Sequence, residues 1–160
     1  MTFIKICGLK TLEDSLATCE AGADMLGFNF YQESVRYIPP FVCRSIVERV
    51  KADYSHILCV GVFVNHETAE IMEVMLDCHL DLAQLSGAEA MDTLKELGDS
   101  AFKAIRPRSP GEARELVDQL PTRTSPPAFL VDSYQPGVYG GTGKVGNFEL
   151  AASISRKYPI

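Results

Sequence analysis

Ile57-Leu58-Cys59-Val60-Gly61-Val62-Phe63-Val64 is a nearly unbroken apolar run. A strand with one wet face alternates apolar and polar residues. A run without alternation has no solvent face and must be buried on both sides, as in a parallel sheet covered by helices. This run decides the fold class, and the segments on either side are read against it.

Upstream, Pro39-Pro40 starts a helix through Val50, with Val42, Ile46 and Val50 in helical register. Before it, residues 24–30 form a strand containing Met25-Leu26-Gly27-Phe28. A helix precedes that strand. It opens at Thr11, with Asp14 three residues on as a capping box, carries an apolar stripe of Leu12, Leu16 and Cys19, and ends at Gly22. The first strand is 3–7. Downstream of the run, a helix follows Asn65 with Ile71, Met75 and Leu76 facing inward. Next come a short strand Leu82–Leu85 with a helix over 88–97, and a strand Ala101–Ile105 with a helix opening at Ser109-Pro110 and capped through Glu112. The last pair is a strand over 128–132, a glycine-rich loop, and a helix from near Asn147 with Leu150 and Ile154 inward. Pro159-Ile160 reads as the start of a seventh strand.

Six β/α units in strict alternation make a parallel α/β sheet. A doubly wound open sheet and a (β/α)8 TIM barrel both satisfy the pattern, and periodicity does not separate them. A barrel needs eight units and usually at least about 200 residues. A barrel reading therefore makes residues 1–160 a single domain that lacks its last two units.

Composition narrows the function. The chain has 160 residues, 46% apolar and 22% charged, which is ordinary for one globular domain. Its net charge is −6 with no basic block, which argues against nucleic acid as a partner. The start lacks the apolar core of a signal peptide, and no apolar run is long enough for a membrane span. The five cysteines (7, 19, 43, 59, 78) are odd in number and form no C-x-x-C, which argues against a disulfide framework or a zinc ribbon. Reduced thiols suit a cytoplasmic location. His56, His66 and His79 show no ligand spacing, so no metal is expected.

Cys7 ends the first strand, directly before Gly8, and Asp132 ends the apolar run Ala128-Phe129-Leu130-Val131. In one parallel sheet the two emerge on the same rim, and an acid with a base there suits proton-shuffling isomerisation. A free thiol ionises near pH 8.5 and needs a cation or a helix N-terminus to act as a thiolate. The loop Gly8-Leu9-Lys10 offers both. The plainer reading of Cys7 is a small buried hydrophobe. Asp132 is either an acid whose pKa burial raises or an acceptor for the turn at 133–136. Arg36 follows the second strand on the same rim. It is either a bidentate carboxylate grip or a solvated charge. Cys19, Cys43, Cys59 and Cys78 read as packing residues.

The loop Gly137-Val138-Tyr139-Gly140-Gly141-Thr142-Gly143-Lys144 is no P-loop, because Val138 and Val145 occupy positions that need glycine and a hydroxyl. Gly141, Gly143 and Gly146 satisfy G-x-G-x-x-G, but no strand directly precedes them and no acidic residue follows at the required distance, so no nicotinamide cofactor is expected. Backbone amides of such a loop suit an anionic ligand.

Several segments together resemble the phosphoribosylanthranilate isomerase family, the (β/α)8 enzymes of tryptophan biosynthesis. They are Lys5-Ile6-Cys7-Gly8-Leu9, Ala21-Gly22-Ala23-Asp24-Met25-Leu26-Gly27-Phe28, Ser34-Val35-Arg36-Tyr37, Val60-Gly61-Val62-Phe63-Val64-Asn65, Ala83-Gln84-Leu85 and Tyr139-Gly140-Gly141-Thr142-Gly143-Lys144. They run in the family's order along the whole chain. The resemblance implies an incomplete TIM barrel and an Amadori rearrangement of a small phosphosugar, without metal or organic cofactor. Within it, Asp132 matches the general acid, Cys7 the general base and Arg36 the grip on the anthranilate carboxylate. Gln84, Gly140, Gly141 and Gly143 match substrate-binding positions.

Two departures stand out. Ser86 occupies a place where the family commonly has histidine. Strands seven and eight, whose loops usually hold the phosphate in such barrels, are missing. The expectation is therefore a chain poorly active alone, with its first and sixth strands as open edges that invite homo-oligomers. Two alternatives stay open. One is the analogous aminoaldose–ketose isomerase of histidine biosynthesis, which typically carries aspartate where Cys7 stands. The other is a non-enzymatic fragment used for binding or assembly. A Rossmann dehydrogenase is a distant third.

Overall fold

A computed structural model describes residues 3–121, 123, 125–132 and 148–156. Among the described residues six strands alternate with six helices: β1 (Lys5–Cys7), α1 (Leu12–Glu20), β2 (Met25–Asn29), α2 (Pro40–Asp53), β3 (Leu58–Phe63), α3 (Thr68–Asp77), β4 (Leu82–Leu85), α4 (Met91–Leu97), β5 (Ala101–Ile105), α5 (Pro110–Gln119), β6 (Phe129–Val131) and α6 (Phe148–Ser155). A short 3-10 turn, Gly98–Ser100, joins α4 to β5. The chain divides into two compact units, Met1–Ala83 and Gln84–Ile160, with β4 beginning in one and ending in the other.

In the first unit β1, β2 and β3 are parallel, with Cys7 opposite Gly27 and Gly27 opposite Val60. β4 then starts on the far side of β3, where Asp81 N–H donates to the Cys59 carbonyl at 2.9 Å. The order β1-β2-β3-β4 runs straight outward. A doubly wound sheet would bring the fourth strand back beside the first, or put the first between the second and third. The ambiguity left by periodicity is thus resolved against it.

β3 and β2 are buried along almost their whole length, as the apolar run requires. Phe28, Phe63, Leu26, Val60, Val47 and Ile71 are all fully buried. Phe63 stacks on Phe30 with ring centroids 5.3 Å apart. Each buried aromatic of this kind contributes about 1.5–3 kcal/mol through area removed from water. In the second unit β5 and β6 pair in parallel, and Ile105, Ala113, Val117, Ala128, Phe129 and Ile154 form the core between strands and helices.

The helix starts follow the sequence reading, with one difference in detail. Thr11 Oγ1 accepts from Asp14 N–H at 3.1 Å, but the Asp14 carboxylate takes the Thr11 hydroxyl at 2.7 Å. Ser109 Oγ accepts from Glu112 N–H at 3.2 Å, behind Pro110 in the first turn of α5. α3 opens with a reciprocal box between Glu67 and Glu70 that the sequence reading did not include.

Two inward assignments are corrected. Leu12 is 39% exposed and Leu76 is 79% exposed. In α1 the buried positions are Ser15 and Cys19, and Ser15 buries its hydroxyl by donating to the Thr11 carbonyl at 2.7 Å. In α3 the inward residue is Ile71, and Leu76 stands five residues on, about 140° away at ~100° per residue.

Candidate active site

In a parallel strand pair the residues that follow the carboxyl ends of the strands are free of the ladder. Cys7 is the last residue of β1, Ser86 follows β4, Arg106 follows β5 and Asp132 follows β6.

β1 leaves the sheet in a sharp turn. Gly8 has φ +88°, and the N–H groups of Gly8 and Leu9 both donate to the Gly27 carbonyl, at 2.9 and 3.1 Å. The positive φ favours glycine. So does the space, because a β-carbon at position 8 would come within 2.5 Å of Arg36 Cδ. The stem of Arg36 therefore lies across the turn that follows Cys7. The first unit brings these two predicted site residues together.

The loop carrying Arg36 is tied to the end of β2. Asn29 Nδ2 donates to Ser34 Oγ at 3.1 Å, Ser34 Oγ accepts from Arg36 N–H at 3.1 Å, and Ile38 N–H donates to the Asn29 carbonyl at 2.9 Å. Lys10 Nζ donates to the Val35 carbonyl at 3.3 Å. The cation expected to serve Cys7 thus braces the Arg36 loop.

Cys7 is the exposed cysteine, and Cys19, Cys43, Cys59 and Cys78 are buried. Burial pushes the Cys59 thiol up to about 12. A hydrogen bond to Cys78, together with burial, raises Cys43 further. These four are buried packing groups, whereas Cys7 is open to a reactant.

In the second unit Gln84 and Ser86 are both buried, and Gln84 Nε2 donates to Ser86 Oγ at 2.9 Å. Asp132 N–H donates to the Ile105 carbonyl at 2.9 Å, which holds its backbone beside β5. Its side chain faces Arg106, whose Nε donates to Oδ2 at 3.3 Å, with 14% and 26% of the two side chains exposed. Asp132 is thus engaged by a guanidinium. Gly140, Gly141 and Gly143 lie outside the described residues.

Sequence reasoning missed three features. Arg106 beside Asp132 is one. The second is a buried ion pair, Lys103 with Glu89, under the loop after β4; Lys103 Nζ also donates to the carbonyls of Leu85 and Gly87, at 3.3 and 2.6 Å. Burial pushes the Lys103 ammonium below its ordinary value, and Glu89 opposes that. The third is Lys5, two residues before Cys7. Strand alternation places it on the same face as Cys7, and that signal was available. Among the described residues no group of three His, Cys, Asp or Glu side chains could hold a metal ion, and no helix is long and apolar enough to cross a membrane.

Comparison with known proteins bears on this arrangement. The family model described as N-(5'phosphoribosyl)anthranilate (PRA) isomerase matches residues 4–159. An N-(5'-phosphoribosyl)anthranilate isomerase of Chlorobium phaeobacteroides is 42% identical over 159 residues, covering 98% of this chain and 71% of that protein. The crystal structure of phosphoribosyl anthranilate isomerase from Thermotoga maritima superposes with a TM-score of 0.82 at 30% identity, covering 99% of this chain and 74% of that one. Another structure of this isomerase, in complex with reduced 1-(o-carboxyphenylamino)-1-deoxyribulose 5-phosphate, matches at TM-score 0.72 and 31% identity, covering 84% of this chain and 66% of that chain. The chain spans about two thirds to three quarters of the length of such relatives. Its fold is an incomplete (β/α)8 barrel of six units.

Proposed function

The chain belongs to the N-(5'-phosphoribosyl)anthranilate isomerase family of enzymes, and from that premise we propose that Cys7 and Asp132 are its base and acid in the Amadori rearrangement of tryptophan biosynthesis. The substrate is N-(5-phosphoribosyl)anthranilate and the product 1-(2-carboxyphenylamino)-1-deoxyribulose 5-phosphate. One observation carries the assignment. Cys7, the exposed thiol, ends β1 with the Arg36 stem laid over the next residue.

Asp132 donates a proton to the ribose ring oxygen. The C1′–O bond breaks as the anilino nitrogen supplies electrons, which gives an open-chain iminium. The Cys7 thiolate then takes the proton from C2′, and the electrons of that bond flow to the nitrogen to form an enolamine. Tautomerisation at C1′ and C2′ yields the ketone. Oxidation state is conserved over the whole molecule, so the steps need proton transfer and charge stabilisation only.

Arg36 holds the anthranilate carboxylate, for which a planar guanidinium fork is suited. Arg106 orients the Asp132 carboxyl and stabilises the carboxylate left after proton donation. Gln84 contacts substrate beside Ser86, and Gly140, Gly141 and Gly143 offer backbone amides to the phosphate. We assign the protein to the cytoplasm on the same reading, because a thiol base works in a reducing compartment. Cys7→Ala and Asp132→Asn should each lower turnover of N-(5-phosphoribosyl)anthranilate by about 10²–10⁴-fold. Unchanged turnover in both variants would refute the assignment.

A further inference from the structure

We infer that Lys5 is the counter-charge of the Cys7 sulfur, a positioning residue that acts through the proton-abstracting group. The inference rests on Cys7 as the proton-abstracting group, and its test is separate from that reading.

Lys5 and Cys7 sit two residues apart on β1, so both side chains leave the same face. Across the ladder from Cys7 is Gly27, which has no side chain. A β-carbon on Gly27 would meet Cys7 Sγ at 2.7 Å and Lys5 Nζ at 2.9 Å. Sulfur and ammonium nitrogen therefore share one bare patch of β2. They are no more than about 6 Å apart, the range in which an opposite charge favours the charged form of a titrating group.

A lysine stem ordinarily carries its head out to water. Here the stem is half-buried and runs along the sheet to the sulfur. The neighbouring cations are placed for other work. Lys10 reaches the Val35 carbonyl, and the Arg36 stem crosses Gly8. Glycine at 27 makes room for the pair. Any larger residue would drive one of the two atoms away.

The chemistry is balanced without another reactant. The Lys5 ammonium faces the sulfur that carries the negative charge when Cys7 acts as the base. Cys7 takes one proton from carbon and becomes a neutral thiol, and Lys5 keeps its proton throughout. Lys5 touches no reacting atom; its charge acts through the sulfur.

Alkylation by iodoacetamide at neutral pH, read on the Cys7 peptide by mass spectrometry, tests this directly because only thiolate reacts and the other four cysteines are buried. Lys5→Met and Lys5→Gln should slow the reaction at least about threefold, while Lys5→Arg stays within about twofold of native. In the native protein about 1 M salt, which shortens the screening length to about 3 Å, should slow it as well. That measurement needs no variant to fold. In turnover, kcat should fall in Lys5→Met with KM little changed, and Lys5→Arg should recover it. Native alkylation rates in both neutral variants overturn the inference, as does equal slowing by Lys5→Arg. If Cys7→Ala keeps full turnover while the Lys5 variants still slow alkylation, the isomerase assignment of Cys7 falls and the ion pair stands.

Discussion

Glu89→Gln should be far more damaging than a surface substitution, and the structure says by how much. Glu89 has 1% of its side chain exposed and Lys103 has 12%, with Nζ 2.5 Å from Oε2. The carboxylate also takes the Gly87 N–H on both oxygens, at 2.9 and 3.0 Å. Glutamine keeps the shape but removes the charge that balances a buried ammonium. Breaking one partner of a buried pair costs about 3–5 kcal/mol, because the remaining charge is left uncompensated. At roughly 2–4 °C per kcal/mol for a chain of this size, Tm should fall by about 6–20 °C. Lys103→Met should cost a similar amount. The double variant Lys103→Met/Glu89→Leu should recover most of the loss, since replacing both charges by packed apolar groups is often close to neutral. The assay is thermal unfolding of the four proteins by calorimetry. A loss below about 1 kcal/mol for Glu89→Gln, the value of an exposed pair, would refute the reasoning.

Other outcomes follow from single contacts. Arg36→Met should raise KM for N-(5-phosphoribosyl)anthranilate with kcat less affected, as for a residue that binds ground and transition states alike; steady-state kinetics checks this, and a fall in kcat alone would contradict it. Hydrogen bonds from Arg108 hold the Glu112 carboxyl below its ordinary 4.5. Its contribution to stability is therefore complete above that value and lost as pH falls through the lower folded value. Glu112→Gln should make the melting temperature less sensitive between about pH 6 and about pH 3, and an unchanged acid slope would count against the Arg108 contacts.

The Ile57–Val64 run, the caps at Thr11 and Ser109 and the position of Cys7 before Gly8 were all legible in the sequence, because each signal lies within a few residues of chain. Alternation of six strands and helices pointed to a parallel sheet, and the order of its first four strands then excluded the doubly wound option. The apolar stripes were less reliable. Leu12 and Leu76 sit near helix ends, and apolar type alone does not say whether a neighbouring element covers a position.

What the chain's own residues determined, then, was the element order, the buried strands and the place of Cys7 at the end of the first strand, since periodicity and local hydrogen bonding are short-range. Only the folded molecule decided who stands beside whom. Gly27 became a bare patch shared by Lys5 and Cys7 through the β1–β2 register, and Gly8 became the seat of the Arg36 stem. Arg106 met Asp132 across 26 residues and Lys103 met Glu89 across 14. Those pairings depend on strand register and loop closure, which are set by packing over the whole sheet and leave no periodic mark in the sequence.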